Sequence, residues 1–441
     1  AAMAGSFIGL VAGGLLADVH WRLVFWVNVP FGVFGTIWAY AKLKEIGQKA
    51  VAKLDWWGNI TFAAGLISVL VGITYGIQPY GGHTMGWTSP LVVSTIVGGL
   101  VLLGLFAWIE TRVESPMFDL SLFRIRAFTA GNGAGLLASI GRGGLQFMLI
   151  IWLQGIWLPL HGYSFESTPL WAGIYMLPLT VGFLIAGPVS GWLSDRYGAR
   201  PFATGGMIVA AISFGLLMVL PVNFAYSAFL ILLLINGVGS GLFAAPNTTA
   251  IMNAVPAKQR GAASGMRATF QNSGMVLSIG LFFSLMIAGL ASTLPTTMEA
   301  GLKANGVPAA TATQLAHLPP VGSLFAAFLG YNPMHTLLGD KVLSALPPDK
   351  AAYLTGKTFF PRLISSPFKH GLAIAFSASL IMCLIAAAAS WLRGRHYVHT
   401  EDGEGRAGEG GGDGGVGPFG APTAEDADPD ASPHPEEWIP A

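Results

Sequence analysis

Hydrophobic and polar residues follow one another along this chain in long blocks, and ten of the blocks are almost wholly apolar. Most of them hold about 20 residues, which as an α-helix rising about 1.5 Å per residue span the hydrocarbon core of a bilayer. Lipid offers no hydrogen-bond partner to backbone groups, so apolar segments of this length must be helical. We therefore predict an all-α integral membrane protein. The predicted spans are 1–17, 23–41, 57–77, 90–109, 129–157, 170–193, 202–220, 226–250, 266–290 and 370–392.

The composition agrees with a membrane bundle. Hydrophobic residues make up 53% of the 441 residues and charged residues only 10%, whereas a soluble domain carries about 25% charged residues. Cys383 is the only cysteine, which excludes an intrachain disulfide. We predict that 393–441 is a disordered acidic tail, because 401–441 holds eleven acidic residues and one base, Arg406.

The loops between the predicted spans differ strongly in positive charge. One set of alternate loops holds thirteen Lys and Arg residues, while the opposite short loops hold only Arg22. Positively charged loops stay in the cytoplasm, so we expect the residue 1 side and the tail to be cytoplasmic in the cell membrane. The segment 291–368 is then a long external loop, to which the charge rule does not apply. Its apolar patch 321–331 is too short to span, so we expect it either on the membrane or against the bundle.

The first span carries a repeat of small residues. Gly5, Gly9 and Gly13 recur every four residues on one helix face, with Gly14 beside them. Small residues at this spacing let two membrane helices approach closely and slide, so we expect either a contact between two halves of the protein or simple tight packing. Since the chain opens inside this span with Ala1, we also expect further residues before it.

The segment GWLSDRYGAR at 191–200 joins two predicted spans on the cytoplasmic side. Its glycines would let two helix ends meet and permit a turn with positive φ. Its aspartate is placed to pair with a nearby guanidinium or to cap a neighbouring helix. We interpret the segment as a charged latch that holds a cytoplasmic gate shut; the alternative is an ordinary loop. The residues concerned are Gly191, Asp195, Arg196, Gly198 and Arg200.

Two further segments stand out, SPMFDLSLFRIRAF (115–128) and PAKQRGAASG (256–265). Together with 191–200 and with the glycine helix followed by WRLVFWVNVPFG (21–32), they resemble, in order, motifs of the major facilitator superfamily. The branch they resemble is that of the fourteen-helix drug:proton antiporters of the EmrB/QacA type. One departure is Leu10, which stands where that family usually has proline.

The resemblance implies a map of the whole chain. The ten spans resemble helices five to fourteen of a major facilitator bundle, so about ten of fourteen helices are present and the first four are missing. The superfamily packs two six-helix halves around a cavity at the membrane midplane. The implied divisions are the last two helices of the N-terminal half-bundle (1–41), a cytoplasmic loop (42–56), a central helix pair (57–109), a cytoplasmic linker (110–128), the C-terminal six-helix half-bundle (129–392) and the tail (393–441).

Span 129–157 contains the one charge that lies deep inside a predicted span. A charged side chain at mid-membrane costs about 2.5–3.5 kcal/mol, and no mid-membrane carboxylate exists in the chain to neutralise it. Polar residues at helical spacing share one face with it, and we expect this face to line a substrate cavity. The partner of the charge would be a missing helix, backbone carbonyls or the substrate; the alternative is a purely structural arginine. The face consists of Asn132, Ser139, Arg142 and Gln146.

A second polar group lies near the inner end of a later span and consists of Arg267, Gln271 and Asn272. Asparagines in membrane helices more often bond a neighbouring helix than a ligand. We expect this of Asn236 and Asn247.

No pattern in the chain indicates an enzyme. GVGSG (237–241) lies in a membrane span and lacks the strand–turn–helix context of a dinucleotide site. The chain has no Gly-Lys-Ser/Thr phosphate loop, and His396 and His399 lack further metal ligands. We therefore expect no enzymatic activity, cofactor, metal site or nucleic-acid partner.

The resemblance implies a secondary transporter that exports drugs or other amphipathic compounds by alternating access, driven by the proton gradient. Its partners would be a small-molecule substrate, the lipid bilayer, and a periplasmic adaptor or the missing N-terminal helices. Two other hypotheses stay open. One is a truncated membrane protein that binds or scaffolds without transporting, and the other is an exporter of a metabolite or siderophore.

Overall fold

The computed structural model describes residues 9, 12, 13, 16, 20, 22–42, 55–113, 116–329 and 331–393. The predicted all-α membrane class is confirmed: these residues form no β-strand, and they contain nine helices long and apolar enough to cross a membrane. Most of the predicted span 1–17, and the tail beyond Arg393, lie outside the described residues. The first eight long helices are α1 (Leu23–Lys42), α2 (Trp56–Gly76), α3 (Pro90–Glu110), α4 (Arg126–Leu160), α5 (Phe165–Tyr197), α6 (Ala199–Val219), α7 (Tyr226–Asn253) and α8 (Ala257–Ala304). Four short helices follow, α9 (Ala309–Ala316), α10 (Pro320–Leu329), α11 (Met334–Ser344) and α12 (Pro348–Thr355), before the ninth long helix, α13 (Phe359–Leu392).

Local sequence explains where several of these helices begin and end. Asp55 precedes α2, and its Oδ1 accepts a hydrogen bond of 2.8 Å from the backbone N–H of Gly58. Pro90 opens α3, a position where its missing N–H is not needed. Gly198 separates α5 from α6 with a φ of +81°, which glycine adopts without strain. The positive-φ turn predicted within 191–200 is therefore present.

Helices α4 to α8 and α13 form the main bundle. Helix α7 packs against α5 and α6, and α13 packs against α4, α6 and α8. Small residues set the closest approach: a Cβ added to Gly206 of α6 would lie 2.5 Å from the carbonyl oxygen of Gly239 in α7. Large side chains fill the remaining interior, where Trp152, Phe229 and Phe376 are fully buried.

The helix pair α2–α3 packs mainly on itself and touches the main bundle through α8. The contact is close, because a Cβ added to Gly280 of α8 would collide with the side chain of Ile73. Helix α1 has no buried residue.

The segment predicted as a long loop, 291–368, is mostly helical. Helix α8 continues through Pro295 to Ala304, and α9 to α12 and the first turns of α13 follow. Two prolines of the segment favour helix starts, since Pro320 and Pro348 each occupy the first position of a short helix. The helices are ordered by their apolar faces, which bury residues such as Leu302.

The apolar patch 321–331 lies against the bundle, which decides between the two placements expected for it. It forms most of α10, and it meets α4 where that helix widens into a π-turn, Leu153–Trp157. A Cβ added to Gly155 would lie 2.6 Å from the carbonyl oxygen of Ala327. The glycine therefore allows α10 to pack directly on the α4 backbone.

Several helices are longer than the predicted spans. Helix α4 begins at Arg126 rather than 129, and α13 begins at Phe359 rather than 370. A hydropathy pattern marks only the part of a helix suited to lipid, whereas helical hydrogen bonding continues into polar surroundings.

Candidate functional site

The polar face predicted on α4 faces the interior of the main bundle. It lines two adjoining open pockets of about 740 and 1150 Å³, both of which border Ser139 and Arg142. Asn132 lines the first pocket and Gln146 lines the second. The structure thus brings all four predicted residues to one continuous surface.

Arg142 projects into this space without a charged partner. Among the described residues no carboxylate lies within 4 Å of its guanidinium, and no carbonyl accepts a hydrogen bond from it. Its contact is with an aromatic ring instead, since its guanidinium carbon lies 4.3 Å from the ring centroid of Phe183 in α5. This is a cation–π distance. The geometry leaves all guanidinium N–H groups free for a ligand.

The asparagines in the pockets bond partly to protein. Asn247 Nδ2 donates to the carbonyl oxygen of Gly131 at 3.0 Å, which joins α7 to α4 as expected from its type. Asn132 Nδ2 donates to Phe128 of its own helix at 2.9 Å. The Oδ1 atoms of both side chains, and Nδ2 of Asn236, are buried without a partner. Unpaired amide groups are costly in an apolar interior. In the pocket wall, these atoms can form hydrogen bonds with a ligand.

A second guanidinium stands at the other end of the first pocket. Arg267 of α8 donates to Gln271 Oε1 at 3.2 Å and to Thr248 Oγ1 at 3.4 Å. Gln271 lines both pockets, whereas Asn272 lines neither. The described wall therefore carries two arginines and no carboxylate, and its charge is positive.

Sequence reasoning missed the aromatic part of this wall, which consists of Phe183, Phe214, Phe243 and Phe270. These residues come from four helices, α5 to α8. Phenylalanine occurs 27 times in the chain, so no sequence signal separates the pocket residues from lipid-facing ones.

The segment 191–200 borders a third pocket, of about 1320 Å³, together with Asn253 and Arg393. Within the described part of the chain, Asp195 is exposed and forms no ion pair with Arg196 or Arg200. The predicted pairing is absent because both guanidinium groups lie against rings. Arg196 stacks on Trp192 of its own helix at 5.2 Å.

Arg200 instead links two helices. Its guanidinium carbon lies 4.0 Å from the ring centroid of Trp391, so the start of α6 contacts the end of α13. Neighbouring Arg393 is 6% exposed, and its Nη2 donates to Ser390 Oγ at 3.2 Å. Burial lowers the pKa of the Arg393 guanidinium to about 10, which still leaves it charged at neutral pH. Trp391 and Arg393 were not anticipated from the sequence.

The close packing predicted for Gly5, Gly9, Gly13 and Gly14 stays a prediction, because most of the span that carries them lies outside the described residues. A Cβ added to Gly191 would meet Ala245 at 3.9 Å, an ordinary contact, so the space there does not demand glycine. Gly9 and Gly13 have nothing within 4 Å of an added Cβ, and Gly5 and Gly14 lie outside the described residues.

The part of the chain that the structure describes contains no group of three His, Cys, Asp or Glu residues able to hold a metal ion. The pocket wall offers hydrogen-bond donors, aromatic rings and positive charge. These groups suit reversible binding of an organic molecule.

Comparisons with known proteins agree with the motifs. The profile of the Major Facilitator Superfamily matches residues 1–279. The methyl viologen resistance protein SmvA of Salmonella typhimurium is 31% identical over 326 residues, covering 71% of this chain and 62% of that protein. The multidrug resistance protein Stp of Mycobacterium tuberculosis is 29% identical over 297 residues, covering 67% of this chain and 52% of that protein.

An uncharacterized MFS-type transporter of Bacillus subtilis, YhcA, is 29% identical over 267 residues, covering 60% of this chain and 48% of that protein. The chain thus spans about half the length of these curated relatives. The family profile covers more than half of the chain. The nine long apolar helices of the described residues agree with that family. The chain belongs to the major facilitator superfamily.

Proposed function

We propose that this chain is part of a secondary transporter that exports drugs or other amphipathic compounds by alternating access, using inward proton movement. The observation that carries the proposal is Arg142, a charged side chain in a membrane helix that lines an open pocket and stacks on Phe183, with no carboxylate or hydrogen-bond partner among the described residues. Such a group is costly in lipid unless it serves a pathway. The family is not enzymatic, which supports transport over catalysis.

The pocket chemistry supports an amphipathic substrate. Phe183, Phe243 and Phe270 offer flat apolar surfaces, and Arg142 with Gln271 offers donors that fix orientation. Relatives named for resistance to methyl viologen, lincomycin and multiple drugs support the same class.

The orientation and partners are also part of the proposal. The basic loops would lie in the cytoplasm of a cell with the protein in its plasma or inner membrane, and the tail would be cytoplasmic. Helices α9 to α12 would then face outward, where a periplasmic adaptor protein would contact them.

Export is tested in cells that express the complete polypeptide containing this chain. Dye efflux should be rapid and should stop when a proton uncoupler is added; efflux that continues after uncoupling would exclude the proton-driven mechanism. Arg142→Ala should reduce efflux at least about tenfold, since one lost charged contact is worth about 1.5–3 kcal/mol. Arg126→Ala, an exposed arginine in the first turn of the same helix, is the control and should transport normally.

One observation favours a second candidate, export of an anionic metabolite. The described pocket wall holds Arg142 and Arg267 and no carboxylate, which suits a carboxylate or phosphate group. A competition experiment distinguishes drug export from metabolite export. An anionic compound that blocks dye efflux only when Arg142 and Arg267 are intact would favour metabolite export. If neither compound moves in the complete protein, a binding or scaffolding role without transport is favoured.

A further inference from the structure

Two carboxyl groups meet where the helix pair α2–α3 joins the linker to α4. Asp55 precedes α2 and Glu110 ends α3, so the antiparallel pair brings them to the same end. Glu110 is only 4% exposed. Its Oε2 accepts a hydrogen bond of 3.2 Å from the backbone N–H of Phe118, but its Oε1 is buried with no partner. Asp55 likewise uses Oδ1 for Gly58, and its Oδ2 is buried without a partner.

The two unpartnered oxygens border the same small space. A Cβ added to Gly58 would lie 3.1 Å from Oε1 of Glu110 and would collide with Oδ2 of Asp55. The absence of a side chain at Gly58 therefore keeps this space open. An apolar wall closes one side, since Phe106 and Phe118 lie edge to face with ring centroids 5.4 Å apart.

No described positive charge neutralises this pair. Within the described residues no Lys, Arg or His lies within 4 Å of either carboxylate. Arg112, two residues after Glu110, lies over the ring of Trp108 at 5.4 Å. The other charge facing Glu110 is a third carboxylate, Asp119.

Asp119 has partners of its own. Its Oδ2 accepts from Gln259 at 2.7 Å, and its Oδ1 accepts from the backbone N–H of Ser121 at 3.0 Å. Both of its carboxylate oxygens therefore already accept hydrogen bonds from the protein. Ionising a buried carboxyl group beside a second carboxylate is unfavourable, and two carboxyl groups that border one space can hold a single proton between them.

We propose that Asp55 and Glu110 form a site that binds a single shared proton at neutral pH. On uptake, an O–H bond of a hydronium ion breaks and an O–H bond forms on one carboxyl group; release reverses both changes. It is distinct from the Arg142 pockets, whose described wall contains no carboxylate.

The site is connected to the pocket wall through the linker. Glu110 binds the backbone of Phe118, and the ring of Phe118 lies edge-on to that of Phe270 with centroids 6.4 Å apart. Phe270 lines the first pocket. Loss of the shared proton would therefore place a new negative charge beside the segment that holds one pocket residue in position.

Infrared difference spectroscopy of the reconstituted complete polypeptide tests the site without any transport assay. The unmodified protein should show the C=O stretch of a protonated carboxyl group at pH 7, because the pair holds its proton at that pH. Glu110→Gln should abolish this band while its amide oxygen still accepts from Phe118. Asp55→Asn should change the pH at which this band disappears. Glu299→Gln, at a carboxylate paired with Lys303, is the control and should leave the band unchanged.

Lys53, two residues before Asp55, lies outside the described residues. Its ammonium group is the alternative to a proton as the positive charge that neutralises the pair. If the unmodified protein lacks the band at pH 7 and Lys53→Gln creates it, an ammonium group neutralises the pair and the proposal fails. The proposal also fails if the band is absent from both proteins, or if it survives Glu110→Gln. A band that Lys53→Gln does not alter supports the shared proton.

Discussion

The guanidinium carbon of Arg142 lies 4.3 Å from the ring centroid of Phe183, across the boundary between α4 and α5. This contact positions the Arg142 guanidinium at the edge of the pocket, and within the described part of the chain none of its N–H groups donates a hydrogen bond to protein. A donor fixed in advance binds its ligand more tightly, because less freedom is lost on binding.

We therefore expect Phe183→Leu to weaken substrate binding roughly 2- to 30-fold, since a cation–π contact is worth about 0.5–2 kcal/mol. The measurement is the concentration dependence of dye efflux. Leu184→Ala, at the exposed neighbouring residue, should leave it unchanged. Equal effects from both variants would show that the α5 backbone, and not the ring, sets the affinity.

The close contact between α6 and α7 predicts a sharp difference between two adjacent glycines. Gly206→Ala should lower the free energy of unfolding by about 1–3 kcal/mol, because its Cβ would lie 2.5 Å from the Gly239 oxygen. Gly205→Ala has open space around its Cβ, and it should leave stability unchanged or raise it by up to about 1 kcal/mol. Denaturation in detergent measures both. A stable Gly206→Ala variant would contradict the packing described.

The two arginines of the segment 191–200, Arg196 and Arg200, should also differ in their effect on stability. Arg200→Gln removes a cation–π contact between α6 and α13 and should cost about 1 kcal/mol in unfolding free energy. Arg196→Gln removes only an exposed contact with Trp192 of its own helix and should cost less. If Arg196→Gln were the more destabilising variant, the connection through Trp391 would not stabilise the bundle.

Cysteine labelling tests the proposed orientation. In a Cys383→Ala background, a membrane-impermeant maleimide added to intact cells should label Thr84→Cys between α2 and α3, which is exposed. The same reagent should leave Gln48→Cys unlabelled until the cells are opened. The reverse pattern would place the basic loops outside and overturn the topology.

Apolar runs identified the long helices well, because in lipid their backbone groups must form hydrogen bonds within the segment, as a helix does. The segment 291–368 was predicted as a long external loop because it holds no apolar run long enough to span. That criterion does not detect short helices such as those that begin at Pro320 and Pro348. Sequence periodicity also placed Ser139 and Arg142 on one pocket-facing surface. The contact partner of each side chain was less predictable. Arg200 contacts the ring of Trp391, which is far along the chain, rather than Asp195. Such pairings depend on how helices pack in three dimensions, and the residue spacing along one segment carries no information about that packing.

The most direct test of the account is substrate movement driven by an imposed proton gradient across proteoliposomes that contain the complete polypeptide. A gradient directed into the compartment facing the basic loops should drive substrate out of that compartment. Collapse of the gradient, or Arg142→Ala, should reduce this movement at least about tenfold. Substrate movement that is indifferent to the gradient and to Arg142 would contradict the account.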